Sequence, residues 1–141
     1  MKRPIYETDS DLAKEKEVQE ALYLLWEVTF NKLPRAYHVD WMLTRKTEAK
    51  AFAELKCRNN NRHQYPTLML SLHKWMHGKA LAQEIGGKFL IIVKWNDGIF
   101  YHTQGWCDVT YGIGGRKDRG DNQDIEPVVY IPVDYFKRIG A

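Results

Sequence analysis

The sequence predicts an α/β fold in which a mixed central β-sheet is flanked by two α-helices. Three observations support this fold class: a helical repeat of apolar residues near the N-terminus, an alternating segment at 49–57, and a continuous apolar run at Lys88–Trp95. Helices that interleave with strands along a chain usually pack on the faces of one sheet. The 141 residues contain no internal repeat, and a chain of this length buries enough surface to fold without disulfides. We therefore expect a single domain over residues 1–141.

The composition is that of a soluble globular protein. Hydrophobic residues make up 44% of the chain and charged residues 28%, which excludes a disordered or collagen-like protein. The two cysteines, Cys57 and Cys107, lack CxxC spacing, so neither a zinc ribbon nor a disulfide framework is predicted. No apolar run approaches the ~18 residues that a membrane helix needs, and the N-terminus lacks an apolar signal segment. We expect a cytoplasmic protein without a membrane partner.

The first helix is predicted from Asp9, a good N-cap residue, to about Phe30. Apolar residues recur at helical spacing between Val18 and Leu25 and would form its buried face. Pro34 lies just beyond the predicted end, where a helix cannot continue.

A β-hairpin is predicted next. The apolar segment Tyr37–Leu43 has strand length, 44–47 is typical of a turn, and Ala49–Cys57 alternates between small apolar and polar residues. Because side chains alternate along a strand, Glu54 and Lys56 lie on one face and the small apolar residues on the other.

The second half of the chain is predicted to contain a helix from Thr67 to about Ile85, which ends at Gly86. The apolar strand Lys88–Trp95 follows and would be buried on both faces. The remaining predicted elements are a basic loop at 58–66, a hairpin turn at Asn96-Asp97-Gly98, a returning strand at Ile99–Thr103, a glycine-rich basic loop at 105–120, a strand at Pro127–Pro132, and one or two helical turns at 133–139.

The candidate site consists of Asp40, Glu54 and Lys56. Asp40 is predicted in the middle of an apolar strand, where a lone carboxylate is costly unless it is paired. If the hairpin pairs as predicted, both acids and the lysine converge at one end of the sheet. Two carboxylates together with a main-chain carbonyl, here that of Leu55, offer oxygen ligands suited to Mg²⁺. Such a metal would activate a water for attack on phosphorus, and a nearby lysine could position or deprotonate that water.

The spacing of Asp40 from Glu54-Leu55-Lys56 resembles the PD-(D/E)xK motif of the restriction-endonuclease-like nuclease superfamily. The predicted order of helix, strands, helix and strand is also similar to that family's core, over roughly residues 11–103. The run Glu54–Arg58, with Tyr65-Pro66, Ser71 and Lys74, resembles small phage-type members. Val39 stands where the motif has proline. The resemblance implies phosphodiester hydrolysis with Mg²⁺ or Mn²⁺, with Asp40 and Glu54 as metal ligands and Lys56 as the catalytic lysine.

Two further catalytic candidates come from the helices. The family often adds an acidic residue from the first helix. Glu20 lies opposite the apolar stripe, whereas Glu15 and Glu17 lie on its two flanks, and Glu15, in line with Gln19, is the preferred candidate. In the second helix Lys74 belongs to a narrow polar stripe and could reach the phosphate near the metal. The alternatives are a structural ion pair for the central trio, a solvated helix charge for Glu15 and a surface lysine for Lys74.

Several basic or polar residues are candidates for contacting nucleic acid. They are Arg58, Arg62 and His63 in the first loop, Ser71, and Arg116, Lys117 and Arg119 in the glycine-rich loop. Trp106 is a candidate for stacking on a base. His73 and His77 are four residues apart, but without the glutamate of HExxH they predict surface histidines and no zinc hydrolase.

The sequence therefore predicts a Mg²⁺- or Mn²⁺-dependent nuclease acting on DNA, in phage DNA processing or recombination and in the host cytoplasm if phage-encoded. A homodimer would suit duplex or branched DNA. Two other classes stay open. One is a non-catalytic nucleic-acid-binding or protein-interaction module on the same fold, and the other is a protein that acts independently of nucleic acid, such as an inhibitor of a host enzyme.

Overall fold

The computed structural model describes residues 9–105, 109–114 and 126–140, and it confirms an α/β fold with two helices around a mixed central sheet. The helices and strands are α1 Asp9–Trp26, β1 Thr29–Lys32, β2 Trp41–Arg45, β3 Glu48–Cys57, β4 Thr67–Ser71, α2 Leu72–Ile85, β5 Lys88–Trp95, β6 Gly98–Thr103, β7 Thr110–Gly114, β8 Glu126–Pro132 and β9 Lys137–Arg138.

The central sheet has six strands in the order β1-β2-β3-β5-β6-β9. Strands β3 and β5 pair in parallel at its centre, and the other neighbours pair antiparallel. The parallel pair requires a crossover, and the segment between the two strands supplies it with β4 and α2. As predicted, β5 is buried on both faces, with Phe89 to Val93 all inside the protein.

The two faces of the central sheet are covered by different elements. On one face, Val18 and Leu22 of α1 pack on the small apolar side chains of β3. On the other face, Trp75 of α2 packs with the three-stranded antiparallel sheet β4-β8-β7. Because β3 alternates, the face under α1 is apolar, whereas Glu54 and Lys56 point to the α2 side. Within the described ranges, neither helix has the length and apolar character of a membrane span.

The first half of the chain differs from the prediction at one helix end and one strand. Helix α1 ends at Trp26, four residues early, because Glu27 adopts a left-handed conformation with φ of 58°. The segment 29–32 then turns back as β1 and pairs with β2. The predicted strand at Tyr37–Leu43 begins only at Trp41, and a 3₁₀ turn occupies Arg35–Tyr37.

The second half also contains strands where a helix, a loop or helical turns were predicted. Thr67–Ser71 forms β4 and not the first turn of α2, because Leu68 and Leu70 alternate inward and the strand pairs with β8. Strand β7 lies inside the predicted glycine-rich loop. The C-terminal segment has one 3₁₀ turn at Val133–Tyr135, and then β9 joins the edge of the central sheet.

Candidate active site

Asp40 lies immediately before β2, which corrects the prediction that it lies in the middle of a strand. Its apolar neighbours made the segment resemble a strand, but pairing with β1 and β3 starts only at Trp41. The Asp40 carbonyl accepts a hydrogen bond from the Leu33 N–H at 2.9 Å, and Val39 is buried in the core. The backbone of Asp40 is therefore held at the margin of the sheet while its side chain stays 31% exposed.

Glu54 lies on the central strand β3, just beyond the last pair between β2 and β3. That pair joins Trp41 to Ala53, so the antiparallel register brings Asp40 beside Glu54. The Glu54 side chain is only 2% exposed. A carboxylate buried to this degree is costly without a compensating cation.

The cation is Lys74, in the first turn of α2. Its Nζ lies 2.5 Å from Glu54 Oε1 and 3.6 Å from Asp40 Oδ2. The structure thus brings four predicted residues together, since Lys56 lies two residues beyond Glu54 on the same face of β3. Three separate elements supply them: the entry to β2, the middle of β3 and the start of α2.

The two acids have opposite pKa shifts. Burial, with a smaller effect of the nearby Asp40 carboxylate, raises the pKa of Glu54 even though Lys74 opposes this. Burial also acts to raise the pKa of Asp40, but the cations Lys74 and Lys32, together with a side-chain hydrogen bond to Glu54, outweigh it and leave that pKa lowered. The pKa values of two close carboxyl groups shift apart in this way because ionising both costs more than ionising one, and the more deeply buried Glu54 has the higher pKa.

The two lysines also have opposite pKa shifts. Burial lowers the pKa of Lys56 to about 8, and the cations Lys74 and Arg58 add to this effect against the opposing Glu54. For Lys74 burial acts in the same direction, but contact with Glu54 and Asp40 outweighs it and raises the pKa. Near neutral pH a fraction of Lys56 is therefore unprotonated and can accept a proton, whereas Lys74 stays charged.

The donor set fits a divalent cation. Glu54 Oε2 is buried and accepts no hydrogen bond from the described residues. Such an unpartnered carboxylate oxygen is costly in an empty site and is a ligand for a hard cation. Across the described ranges, no group of three or more acidic, histidine or cysteine side chains could hold a metal ion. A cation here would thus take two carboxylates, and the Leu55 carbonyl is the predicted third protein ligand.

The helix α1 places its acids on the opposite side of the sheet from Lys74. Glu15 lies near the Cys57 thiol, whose pKa is raised first by burial and then by the Glu15 charge. Glu17 forms an ion pair with Lys94 at 3.1 Å. The structure therefore places Glu15 at the end of β3, where Cys57 faces α1, and it gives the alternative Glu17 a structural partner.

The candidates for contacting nucleic acid differ in how exposed their side chains are. Arg58 is exposed, follows β3 directly, and lies close enough to Lys56 to lower its pKa. Arg62 is partly buried: its guanidinium lies 4.5 Å from the Phe100 ring centroid and donates to the Val133 carbonyl at 3.2 Å. Ser71 ends β4 at the N-cap position of α2, where its side chain makes no capping hydrogen bond. Arg58 is therefore the better placed of the two arginines for an external ligand.

Other candidates lie outside the described residues: Trp106, Arg116, Lys117 and Arg119. His63 is paired with Asp134 at 2.9 Å. His73 and His77 are exposed, as predicted, but the ring of His38 lies 4.5 Å from that of His77. The contact with His38 comes from the 3₁₀ turn before Asp40, which the sequence pattern did not indicate.

Lys32 is a residue near the site that the sequence reasoning missed. It lies at the end of β1, its Nζ is 4.8 Å from the Trp41 ring centroid, and its charge lowers the pKa of Asp40. The signal was present as a lysine eight residues before Asp40. The sequence pattern predicts the end of the first helix at this lysine, which hides its position on a strand beside Asp40.

Comparison with protein families gives a match over residues 1–139 to the family described as "Phage putative PDDEXK endonuclease". The chain belongs to this PD-(D/E)xK family. The match confirms the resemblance inferred from Asp40 and Glu54-Leu55-Lys56, and it supports nuclease activity for the chain. A comparison with curated proteins found no match.

Solved structures support the fold of this PD-(D/E)xK family member. Hjc, a Holliday junction resolvase from Archaeoglobus fulgidus, is similar to the chain with a TM-score of 0.54 and 12% sequence identity, over 89% of this chain and 92% of that one. At this identity the similarity concerns the restriction-endonuclease-like fold.

Proposed function

We propose that this chain is a single-domain nuclease that hydrolyses DNA phosphodiester bonds with Mg²⁺ or Mn²⁺. The observation that carries the proposal is the buried Glu54 carboxylate, which lies beside Asp40 and has one oxygen that accepts no hydrogen bond from any residue the structure describes. A structural ion pair would be expected to satisfy its buried oxygens. Perturbed and partly shielded titratable groups of this kind concentrate at functional sites.

Asp40, Glu54 and the Leu55 carbonyl would hold the metal. When bound, the metal would acidify a water and stabilise the negative charge that develops on the scissile phosphate. Lys56 would accept the proton of the attacking water, because its pKa of about 8 leaves part of it neutral near neutral pH. Lys74 keeps its charge and would balance that of the phosphate.

The substrate class rests on family and fold together. The family description names a phage endonuclease, and the similar solved structure is described as a Holliday junction resolvase. We propose duplex or branched DNA as the substrate, a role in phage DNA processing or recombination, and action in the cytoplasm of the host cell. A two-fold dimer would place two sites on a symmetric junction. Arg58 is the proposed backbone contact nearest to the site, with Ser71, Arg62, Arg116 and Lys117 as further candidates.

The test is a cleavage assay on plasmid, single-stranded and four-way junction DNA with Mg²⁺, Mn²⁺ or EDTA. Asp40→Asn and Lys56→Ala are expected to reduce the single-turnover rate by at least about 100-fold, because metal ligation and proton transfer each contribute on that scale. Glu48→Gln and Lys50→Ala are matched controls on β3. Their side chains are exposed and pair with each other, and both variants should cleave like the wild type.

The outcomes separate the proposal from its alternatives. Cleavage that survives Asp40→Asn would show that the site is wrongly assigned. Salt-dependent DNA binding without cleavage under any metal would favour a non-catalytic module. Absence of both binding and cleavage would favour a function independent of nucleic acid.

A further inference from the structure

The contact of Lys74 with both acids suggests a role before any substrate binds. Its ammonium lies 2.5 Å from Glu54 Oε1 and 3.6 Å from Asp40 Oδ2. It is therefore a cation placed between the two carboxylates that would bind a metal. An ion pair between exposed groups contributes little to stability, whereas this one involves a carboxylate that is only 2% exposed.

A divalent cation on the same carboxylates would compete with this ammonium. Mg²⁺ binds oxygen ligands at about 2.0–2.1 Å, so an ion shared by Asp40 and Glu54 would come close to Lys74 Nζ. Two cations at that separation, in a position shielded from water, repel each other strongly. The ammonium is able to leave, since it ends a flexible four-carbon chain whose side chain is 32% exposed.

We propose that Lys74 is a resident counter-cation, which holds Asp40 and Glu54 together in the metal-free protein and is displaced from them when a divalent ion binds. The inference rests on the proposed function, and it adds that the Lys74 ammonium and the metal compete for the same two carboxylates. In the metal-free protein the ammonium gives one oxygen of the buried Glu54 a partner, which lowers the cost of leaving the site empty. In exchange, the apparent affinity for the metal is lower than the carboxylates alone would provide.

The expected change in metal affinity depends on the fraction of time that the Lys74 ammonium spends away from the two carboxylates. If the ammonium leaves the carboxylates for about a tenth of the time, the apparent Kd for the metal is about tenfold higher than the intrinsic value. Removing the ammonium should recover that factor. The released Lys74 would be free to approach a DNA phosphate. Its ammonium would then pair with that phosphate and no longer with the carboxylates of Asp40 and Glu54.

The first experiment measures Mn²⁺ binding by calorimetry in the absence of DNA. Lys74→Gln is expected to lower the Kd by about tenfold. Lys50→Gln is the control, since Lys50 is an exposed cation on the same strand as Glu54 and pairs with Glu48 at 2.7 Å. Its Kd should stay within about twofold of the wild type, because an exposed charge is screened by solvent. Lys74→Arg keeps the charge and should retain weak binding.

The second experiment compares thermal unfolding in EDTA and in Mn²⁺. In EDTA, Lys74→Gln should melt below the wild type because the buried Glu54 loses its partner. Mn²⁺ should raise the midpoint of Lys74→Gln more than that of the wild type, since stabilisation by a ligand grows with its affinity. A smaller rise in the variant would contradict the inference.

The outcomes distinguish the inference from the proposed function. Bound Mn²⁺ with equal Kd values in the wild type and Lys74→Gln would mean that ammonium and metal coexist on different oxygens, and the inference would be wrong. Weaker binding by Lys74→Gln would make Lys74 a support for the metal and would also refute it. Absence of Mn²⁺ binding in the wild type and in every variant would refute the metal site itself.

Discussion

Replacing Lys56 by methionine is expected to stabilise the metal-free protein while abolishing cleavage. Folding lowers the pKa of Lys56 from 10.5 to about 8, chiefly through burial. A difference of this size corresponds to about 3 kcal/mol that the fold loses by keeping the ammonium charged. Because the side chain is partly exposed and solvent screens it, we expect about 1–2 kcal/mol. Methionine has a similar length and removes the charge.

The pH dependence of the stability difference between the two proteins reports on the ionisation of Lys56 alone. At pH 7 the ammonium is charged in the unfolded chain and mostly charged in the folded protein, so most of the cost is present. As the pH rises from about 8 to 10.5, the folded protein releases this proton before the unfolded chain does, and the stability of the wild type rises relative to Lys56→Met. The advantage of the variant should therefore be largest at pH 7 and close to zero near pH 10.5.

The assay is urea unfolding of both proteins in EDTA at several pH values between 7 and 10.5, followed by single-turnover cleavage at pH 7.5. Ionisation of the other lysines and tyrosines affects both proteins alike and largely cancels in the difference. A variant less stable than the wild type at pH 7, or a stability difference that does not change with pH, would show that burial of the Lys56 ammonium does not destabilise the fold. Cleavage by Lys56→Met at the wild-type rate would refute its role as the base.

Three further variants test the packing and the arginine assignments. Leu22→Ala, at a fully buried position of α1, should cost about 2–5 kcal/mol in urea unfolding, whereas Leu24→Ala, 80% exposed on the same helix, should change stability by less than about 0.5 kcal/mol. Similar losses for the two would contradict the observed face of α1. Gly78→Ala places a methyl group against the Phe89 ring of β5, which has to shift, and should lower the free energy of unfolding in urea by about 1–3 kcal/mol. Arg62→Ala should lower the melting temperature, because its guanidinium packs inside the protein, while Arg58→Ala should leave melting unchanged and weaken DNA binding with a smaller salt dependence. The reverse pattern would exchange the roles of the two arginines.

Local signals predicted the centre of the fold. The alternation around Glu54 and the apolar run Lys88–Trp95 each identify a strand within a few residues, and both strands are present. The common face of Glu54 and Lys56 follows from the two-residue period of a strand alone. Lys74 was also placed correctly on α2, although the helix begins at Leu72 and not at Thr67.

The missed elements depend on distant or unusual signals. The start of β1 is predicted as helix because apolar spacing continues past Trp26, and the residue that ends α1 is Glu27, not a glycine. Strand β4 has only five residues and is joined directly to α2, so its alternation was too short to separate from a helical turn. Its partner β8 begins at Glu126, and no local pattern indicates such a pairing.

The two acids are supported unequally. Glu54 belongs to a strand paired at the buried centre of the sheet, whereas Asp40 is tied to the outer ribbon of β1 and β2 through the Leu33 hydrogen bond. Backbone amides in such an outer ribbon exchange with solvent through small local openings, while those of a central strand wait for global unfolding. On heating, the ribbon would detach first and carry one carboxylate away from the other. The protein would thus lose its cleavage activity while most of the fold is still intact, and inactivation would occur at a lower temperature than global unfolding.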